Sequence, residues 1–237
     1  MRALEGTSAV VTGASRGVGL AIARALAADG ARVALLARNR DALHAAAGSL
    51  GTHALPIPCD LARTEDVDAA LGAIERAMGV PDVLVNNAGI FALGAIGAMP
   101  PAEVEQMVSL NLLAPYRLLH ALVPRMRARG SGHLVTIGSI ADRQTFPENA
   151  AYAASKFGAR AMHEILRQEL RGTGVRTSLV SPGPVDTAMW DPIHPETRPG
   201  FTPRALMLRP EAVADAVAWV VTRPADVNVD ELRLSHA

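Results

Sequence analysis

Apolar residues in this chain follow two rhythms. Short unbroken runs alternate with longer, alanine-rich stretches whose apolar positions recur every three or four residues. The runs at 8–12, 32–37, 53–58, 83–86, 133–137 and 175–180 have strand length, and 232–234 offers a short seventh. They lack polar alternation, so both faces of each strand are predicted to be covered, as in a parallel sheet. Helical spacing predicts helices over 18–28, closed by Gly30, and after Asn39, whose side chain can cap one. Further helices are predicted over 64–78, with Glu65 and Asp66 in the first turn, and over 102–126, 150–171 and 211–222. Pro115 and Pro124 fall inside 102–126 and predict a kink or break there. Pro210 stands next to the start of the last helix and Gly172 after the end of the one before it.

Strand–helix alternation runs from end to end without a repeat or a linker. It predicts one α/β domain over 1–237, a doubly wound parallel sheet of about seven strands with helices on both faces. Residues 188–209 fit neither rhythm and carry Pro192, Pro195, Pro199 and Pro203. A loop of that length in a compact domain is usually functional, and a substrate lid is expected. Met189, Trp190, Phe201 and Met207 could cover a nonpolar substrate or simply pack the loop down.

Composition narrows the partners. Lys+Arg and Asp+Glu balance at 23 each in 237 residues, which argues against nucleic acid or an anionic membrane surface as the main partner. No apolar run reaches the roughly 18 residues that span a bilayer, and the start, Met1 to Gly6, does not read as a signal peptide. Cys59 is the lone cysteine and reads as a small core residue. A cytoplasmic protein is expected. The seven histidines are scattered without paired ligand spacing, so no metal site is proposed. Of the 23 basic residues, 22 are arginine and one, Lys156, is lysine. A lone lysine in such a chain hints at a place where a guanidinium cannot replace an ammonium.

The segment Thr12-Gly13-Ala14-Ser15-Arg16-Gly17-Val18-Gly19 joins the first predicted strand to the first helix. Glycines at Gly13, Gly17 and Gly19 let a backbone turn sharply and approach a pyrophosphate, with the helix N-terminus facing the anion. The spacing is looser than the commoner glycine fingerprint, but its place between strand and helix is the context a dinucleotide site needs. An acid at the end of the second strand would hold the 2′-hydroxyl of NAD, and Ala37-Arg38 stands there instead. Arg38 and Arg16 could grip a 2′-phosphate, so NADP(H) is preferred over NAD(H). The alternative is that Arg38 is an ordinary surface arginine.

Tyr152-Ala153-Ala154-Ser155-Lys156 opens the helix predicted at 150–171. Four residues is about one turn, so the phenol and the ammonium share a face, and the ammonium favours the phenolate. Ser139 ends the fifth strand, and Asn86-Asn87-Ala88-Gly89 follows the fourth. Both would lie with the glycine turn at the carboxyl edge of the sheet, where open α/β sheets bind ligands.

With these motifs in place the chain resembles the short-chain dehydrogenase/reductase family, from about Gly6 to Leu234, which implies a Rossmann-type sheet. The resemblance is carried by the glycine turn, Cys59-Asp60-Leu61, Asn86-Asn87-Ala88-Gly89, Asn111, Ser139, Tyr152-x-x-x-Lys156 and Pro182-Gly183-Pro184-Val185-x-Thr187. It implies that Tyr152 is the general acid in carbonyl reduction and the base in alcohol oxidation. Lys156 would assist Tyr152 and hydrogen-bond the nicotinamide ribose, Ser139 would orient the substrate oxygen, and Asn111 would hold a relay water. Asp60 and Leu61 would flank the adenine, Asn87, Ala88 and Gly89 would lie along the cofactor, and Pro182, Gly183, Val185 and Thr187 would meet the nicotinamide end. Arg16 and Arg38 match the basic positions that go with NADP in similar reductases. A homodimer or homotetramer that pairs its long helices is implied too.

The expected activity is transfer of hydride between NADP(H) and a small-molecule carbonyl or alcohol substrate. Two alternatives stay open: a 3-oxoacyl-thioester reductase, and a nucleotide-sensing binding protein that has lost the chemistry. The C-terminus, Asn228 to Ala237, lacks the glycine-rich ending of many fatty-acid reductases and weighs against the first. The joint presence of Ser139, Tyr152 and Lys156 weighs against the second. Arg125, Arg127 and Arg129 could meet an acidic acyl carrier or form a solvated helix end.

Overall fold

A computed structural model describes residues 2–237. Seven strands form one sheet: β1 (Ser8–Thr12), β2 (Arg32–Ala37), β3 (Ala54–Pro58), β4 (Val83–Asn86), β5 (Gly132–Ile137), β6 (Val175–Pro182) and β7 (Glu231–Leu234). The order across the sheet is β3-β2-β1-β4-β5-β6-β7 and every pairing is parallel. The helices are α1 (Gly17–Ala28), α2 (Arg40–Gly48), α3 (Thr64–Met78), α4 (Pro101–Val108), α5 (Ala114–Arg129), α6 (Ala150–Glu169) and α7 (Pro210–Val221). The expected Rossmann-like α/β architecture is the one observed.

The unbroken apolar runs have a direct cause. Along the central strands, alternate residues enter two separate cores. Ala9, Val11, Val33, Leu35 and Val85 pack with Ile22 and Leu26 of α1 and Val213 and Val217 of α7. Val10, Ala34, Leu36, Leu84 and Leu134 pack on the other face with Val67 and Ile74 of α3 and Leu118 and Leu122 of α5. With helices on both faces, both sets of these positions are apolar. The edge strand β3 tolerates Pro56 and Pro58 because one side needs no ladder donors.

The stretch expected as one kinked helix over 102–126 is instead interrupted by a π-helical turn, Ser109–Leu113. The widened turn stops just short of Pro115, which has no N–H to offer the Asn111 carbonyl one turn back. Pro124 does not end α5. The carbonyl it leaves without a donor belongs to His120, which is exposed and open to water.

The irregular segment is a closed loop. Val185 and Leu208 form an isolated parallel bridge. Asp186 N donates to the Leu208 carbonyl (2.8 Å), and Leu208 N donates to that of Pro184 (2.9 Å). Between them lie three short turns, Ala188–Trp190, Pro195–Thr197 and Arg204–Leu206. Met207 is buried beneath the loop, as a packing residue.

Candidate active site

The strand order reverses between β1 and β4, so loops on the two sides of that junction diverge and leave a crevice at the carboxyl edge. The glycine turn lines it. Gly13 N and Ala14 N donate to the Leu36 carbonyl (2.8 and 3.2 Å), which ties the turn to the end of β2. Gly13 has φ +68°, a conformation other residues adopt only with strain. Gly19 answers to proximity: a Cβ there would strike the Gly13 carbonyl and stand 2.5 Å from Asn87 Nδ2. No side chain caps the N-terminus of α1. Its first N–H groups are therefore free to meet an anion, and Ser15, Arg16 and Val18 flank them. Thr12 locks the next loop against this turn. Its Oγ1 accepts from Asn87 N and Ala88 N (2.9 Å each), and its carbonyl accepts from Asn87 Nδ2 (2.8 Å).

Arg16 and Arg38 are both exposed, at the start of α1 and just past β2. Among the described residues, no ion pair or side-chain hydrogen bond occupies either guanidinium. Asp60 sits past the end of β3 and binds Ala62 N through Oδ1 (3.0 Å). Leu61 turns its side chain into the core. Asn86 Oδ1 is buried without a partner at the end of β4. Thr187 lies over the turn, with Cγ2 3.3 Å from where a Gly17 Cβ would stand. Gly183 N donates to the Leu234 carbonyl (2.8 Å), so the Pro182-Gly183 backbone is held by β7. An uncapped helix start and glycines that keep the backbone open suit the pyrophosphate of a dinucleotide.

On the other side of the crevice, α6 carries Tyr152 and Lys156. The Lys156 ammonium is buried, donates to the Ile137 carbonyl (3.0 Å) and lies 5.8 Å from the centre of the Tyr152 ring. That one carbonyl leaves two of its three N–H donors for other groups. Ser139 follows β5 and caps the turn Ile140–Asp142, where its Oγ accepts from Ala141 N (3.1 Å). The hydroxyl proton remains available. Asn111 is buried in the π-helical turn. Its Oδ1 accepts from Ile90 N (2.9 Å), and its Nδ2 donates to the Ile90 carbonyl and to Ser155 Oγ (3.0 Å each). Ser155 in turn donates to the Tyr152 carbonyl (2.7 Å). Asn111 thus clamps the loop after β4 to the helix that bears Tyr152.

The model of the short chain dehydrogenase family matches residues 7–198. The chain belongs to this family. An uncharacterized oxidoreductase of Staphylococcus haemolyticus is 35% identical over 233 residues, 98% of each chain. A metagenomic short-chain oxidoreductase solved in complex with NADP is 36% identical, with a TM-score of 0.84 over 98% of this chain and 99% of that one. An alcohol dehydrogenase from the archaeon Thermococcus sibiricus, complexed with 5-hydroxy-NADP, is 33% identical, with a TM-score of 0.86 over 97% of this chain and 96% of that one. This short-chain dehydrogenase is accordingly an oxidoreductase with a Rossmann-like parallel sheet.

Sequence reasoning missed a buried ionic cluster behind Ser139. Asp142 is fully buried. Its Oδ2 accepts from Ser139 N (3.1 Å) and Ser181 Oγ (2.5 Å), and its Oδ1 pairs with Arg143 (2.8 Å). Arg143 reaches Glu231 of β7 (2.5 Å). The cluster joins β5, β6 and β7 through the residue next to the candidate serine. The spacing Ser139-x-x-Asp142 is a capping-box pattern, the signal that was available. Two other features resolve plainly. Burial first, with Asp66 and Asp60 adding, pushes the Cys59 thiol up to about 12, so it is an inert core residue. Arg125 pairs with Glu75, and Arg129 with Asp82 (3.2 Å), so among the described residues only Arg127 of the basic cluster makes no ion pair.

Proposed function

We propose that this short-chain dehydrogenase is an NADP(H)-dependent carbonyl reductase or alcohol dehydrogenase acting on small molecules. The observation that carries the reading is Tyr152 and the buried Lys156 one turn apart on α6, with Lys156 bonded to the end of β5 two residues before Ser139. When bound, the nicotinamide would exchange hydride with the substrate carbon. Tyr152 would give its phenolic proton to the carbonyl oxygen in reduction and take one back in oxidation. The Lys156 ammonium, which spends one donor on the Ile137 carbonyl, has N–H groups left for the cofactor ribose. Ser139 would donate to the same substrate oxygen and hold it beside the phenol. Asn111, through the backbone carbonyl that Pro115 leaves without its helical donor, would hold a relay water.

Gly13, Ser15, Gly17, Val18 and Gly19 would cradle the pyrophosphate, and Asp60, Leu61, Asn87, Ala88 and Gly89 would follow the adenosine. Pro182, Gly183, Val185 and Thr187 would border the nicotinamide, and the loop over 188–209 would act as the lid. Arg16 and Arg38, exposed and unpaired, favour the 2′-phosphate of NADP. That solved structures 36% and 33% identical were obtained with NADP and 5-hydroxy-NADP supports the same choice. Pairing of long helices into a homodimer or homotetramer is part of the proposal, because Leu113, Tyr116, Phe157 and Ile165 expose apolar surface on and beside α5 and α6. The test is a panel of carbonyls and alcohols run with both cofactors, beside Tyr152→Phe. Turnover that favours NADPH and disappears in the variant supports the reading. A variant that keeps full turnover overturns it.

A further inference from the structure

Aromatic side chains are scarce here, at four Phe, two Trp and two Tyr. Four of them form one line that begins at the candidate catalytic phenol. Phe91 meets Tyr152 edge-on with ring centres 4.8 Å apart, Trp190 meets Phe91 at 5.2 Å, and Phe201 meets Trp190 at 6.4 Å. The four rings come from three segments: α6, the loop after β4 and the loop between Val185 and Leu208. All four residues are half-buried. Trp190 Nε1 donates to the Val185 carbonyl (3.0 Å), which fixes the indole and leaves its outer surface apolar.

The guanidinium groups beside this line are already paired, and the Lys156 ammonium is turned to the Ile137 carbonyl and kept for the cofactor ribose in the redox reading. Within the loop, Asp186, Asp191 and Glu196 face Arg198 and Arg204, an excess of one negative charge. Arg204 pairs with all three carboxylates. Arg198 pairs with Glu148 (2.8 Å) and lies over the Phe201 ring at 5.2 Å. Arg143, four residues past Ser139, is held between Asp142 and Glu231. A substrate carboxylate or phosphate entering here would lose its water and find no free guanidinium, which is unfavourable. A flat apolar group would gain edge and face contacts with rings that are fixed beforehand.

We infer that the site takes neutral aryl ketones and aldehydes and discriminates against oxoacids and phosphorylated thioesters. The inference rests on the redox reading above. In the reduction, the carbonyl carbon receives hydride from a reduced nicotinamide and the carbonyl oxygen receives the Tyr152 proton. The products are the aryl carbinol and the oxidised nicotinamide, and Tyr152 recovers its proton from water.

Two measurements test this separately from the redox reading. The first compares kcat/KM for acetophenone, benzoylformate and acetone: the first two differ by a carboxylate, the first and last by the ring. Acetophenone is expected to lead each by about tenfold or more, the scale of one aromatic packing contact or one unpaired charge. Phe91→Leu and Trp190→Leu are each expected to lower kcat/KM for acetophenone about tenfold more than for acetone, mainly through KM. The second measurement needs no turnover. In the Tyr152→Phe/Trp219→Phe protein loaded with NADPH, Trp190 is the lone tryptophan, and acetophenone should change its fluorescence saturably while benzoylformate does not. Equal or better turnover of benzoylformate overturns the inference and leaves the nicotinamide reading intact. Absence of turnover with every carbonyl overturns the nicotinamide reading, and the Trp190 signal then still decides what the pocket accepts. No fluorescence response to acetophenone overturns the inference directly.

Discussion

The two halves of the sheet hold their functional groups by different means. On the β1–β2–β3 side, position is set mainly by backbone and uncharged groups: the turn hangs from the Leu36 carbonyl, the Thr12 hydroxyl ties it to Asn87 and Ala88, and Gly19 is there because the Gly13 carbonyl leaves no room for a Cβ. On the β5–β6–β7 side, position is set by buried polar side chains. Asp142, Ser181 and Arg143 lock the Ser139 segment. Two buried histidines add cross-links: His133 of β5 bonds Ser178 on the neighbouring strand β6 (2.9 Å), and His163 of α6 bonds Thr136 on β5 (3.0 Å). Backbone devices are insensitive to pH and fail through steric collision. Buried polar clusters specify geometry but fail when a proton or a charge changes.

The largest expected effects separate the halves outright. Tyr152→Phe should lower kcat about 10³-fold, on the order of 4 kcal/mol, while NADPH affinity by fluorescence titration stays near that of the parent. Gly19→Ala should do the reverse, weakening NADPH binding by roughly a hundredfold, about 2.7 kcal/mol. If Gly19→Ala binds NADPH normally, the backbone account of the first half is wrong.

Acid should attack the second half first. Burial above all, then the Arg176 charge, lowers His133 to about 3. Burial, then the Arg167 charge, lowers His163 to about 4, although the carboxylates of Glu164, Asp230 and Glu231 pull the other way. Both lie below the unfolded value of 6.5, so the unfolded chain binds protons first and stability falls as pH drops below 6.5. The loss continues to about 4 for His163 and about 3 for His133, where the folded state is protonated as well. At pH 5 it amounts to about 2 kcal/mol for each histidine. Urea unfolding at pH 7.5 and pH 5 measures it, and His163→Gln should remove about half. Equal stability at the two pH values would contradict the assignment of neutral buried imidazoles.

A smaller change tests the ionic cluster. Asp142→Asn keeps the shape but loses the charge facing Arg143 and one acceptor, for an expected loss of about 2 kcal/mol in stability, because Glu231 remains. If Ser139 depends on this cluster, kcat should fall by more than NADPH affinity does. The smallest effect belongs to the exposed edge of the first half. Arg38→Asp should shift the NADPH-to-NADH preference roughly tenfold toward NADH, on the order of 1.5 kcal/mol. An unchanged ratio would remove Arg38 from the cofactor site.

The sequence by itself determined the sheet and the position of the glycine turn. Strands such as Val10-Val11 and Ala34-Leu35-Leu36 are apolar on both faces, and a run that can only be buried twice admits few architectures. It also placed Tyr152 and Lys156 on one face of one helix, since that spacing is local. Tertiary structure decided what depends on residues far apart. The π-helical turn arises where Asn111 must reach both Ile90 and Ser155, and local spacing predicted only a proline kink. The link from Asp142 through Arg143 to Glu231 joins groups 89 positions apart, and the aromatic line joins three segments through Phe91. Periodicity reports the face on which a side chain lies. Which partner from a distant segment meets it there is set by packing alone.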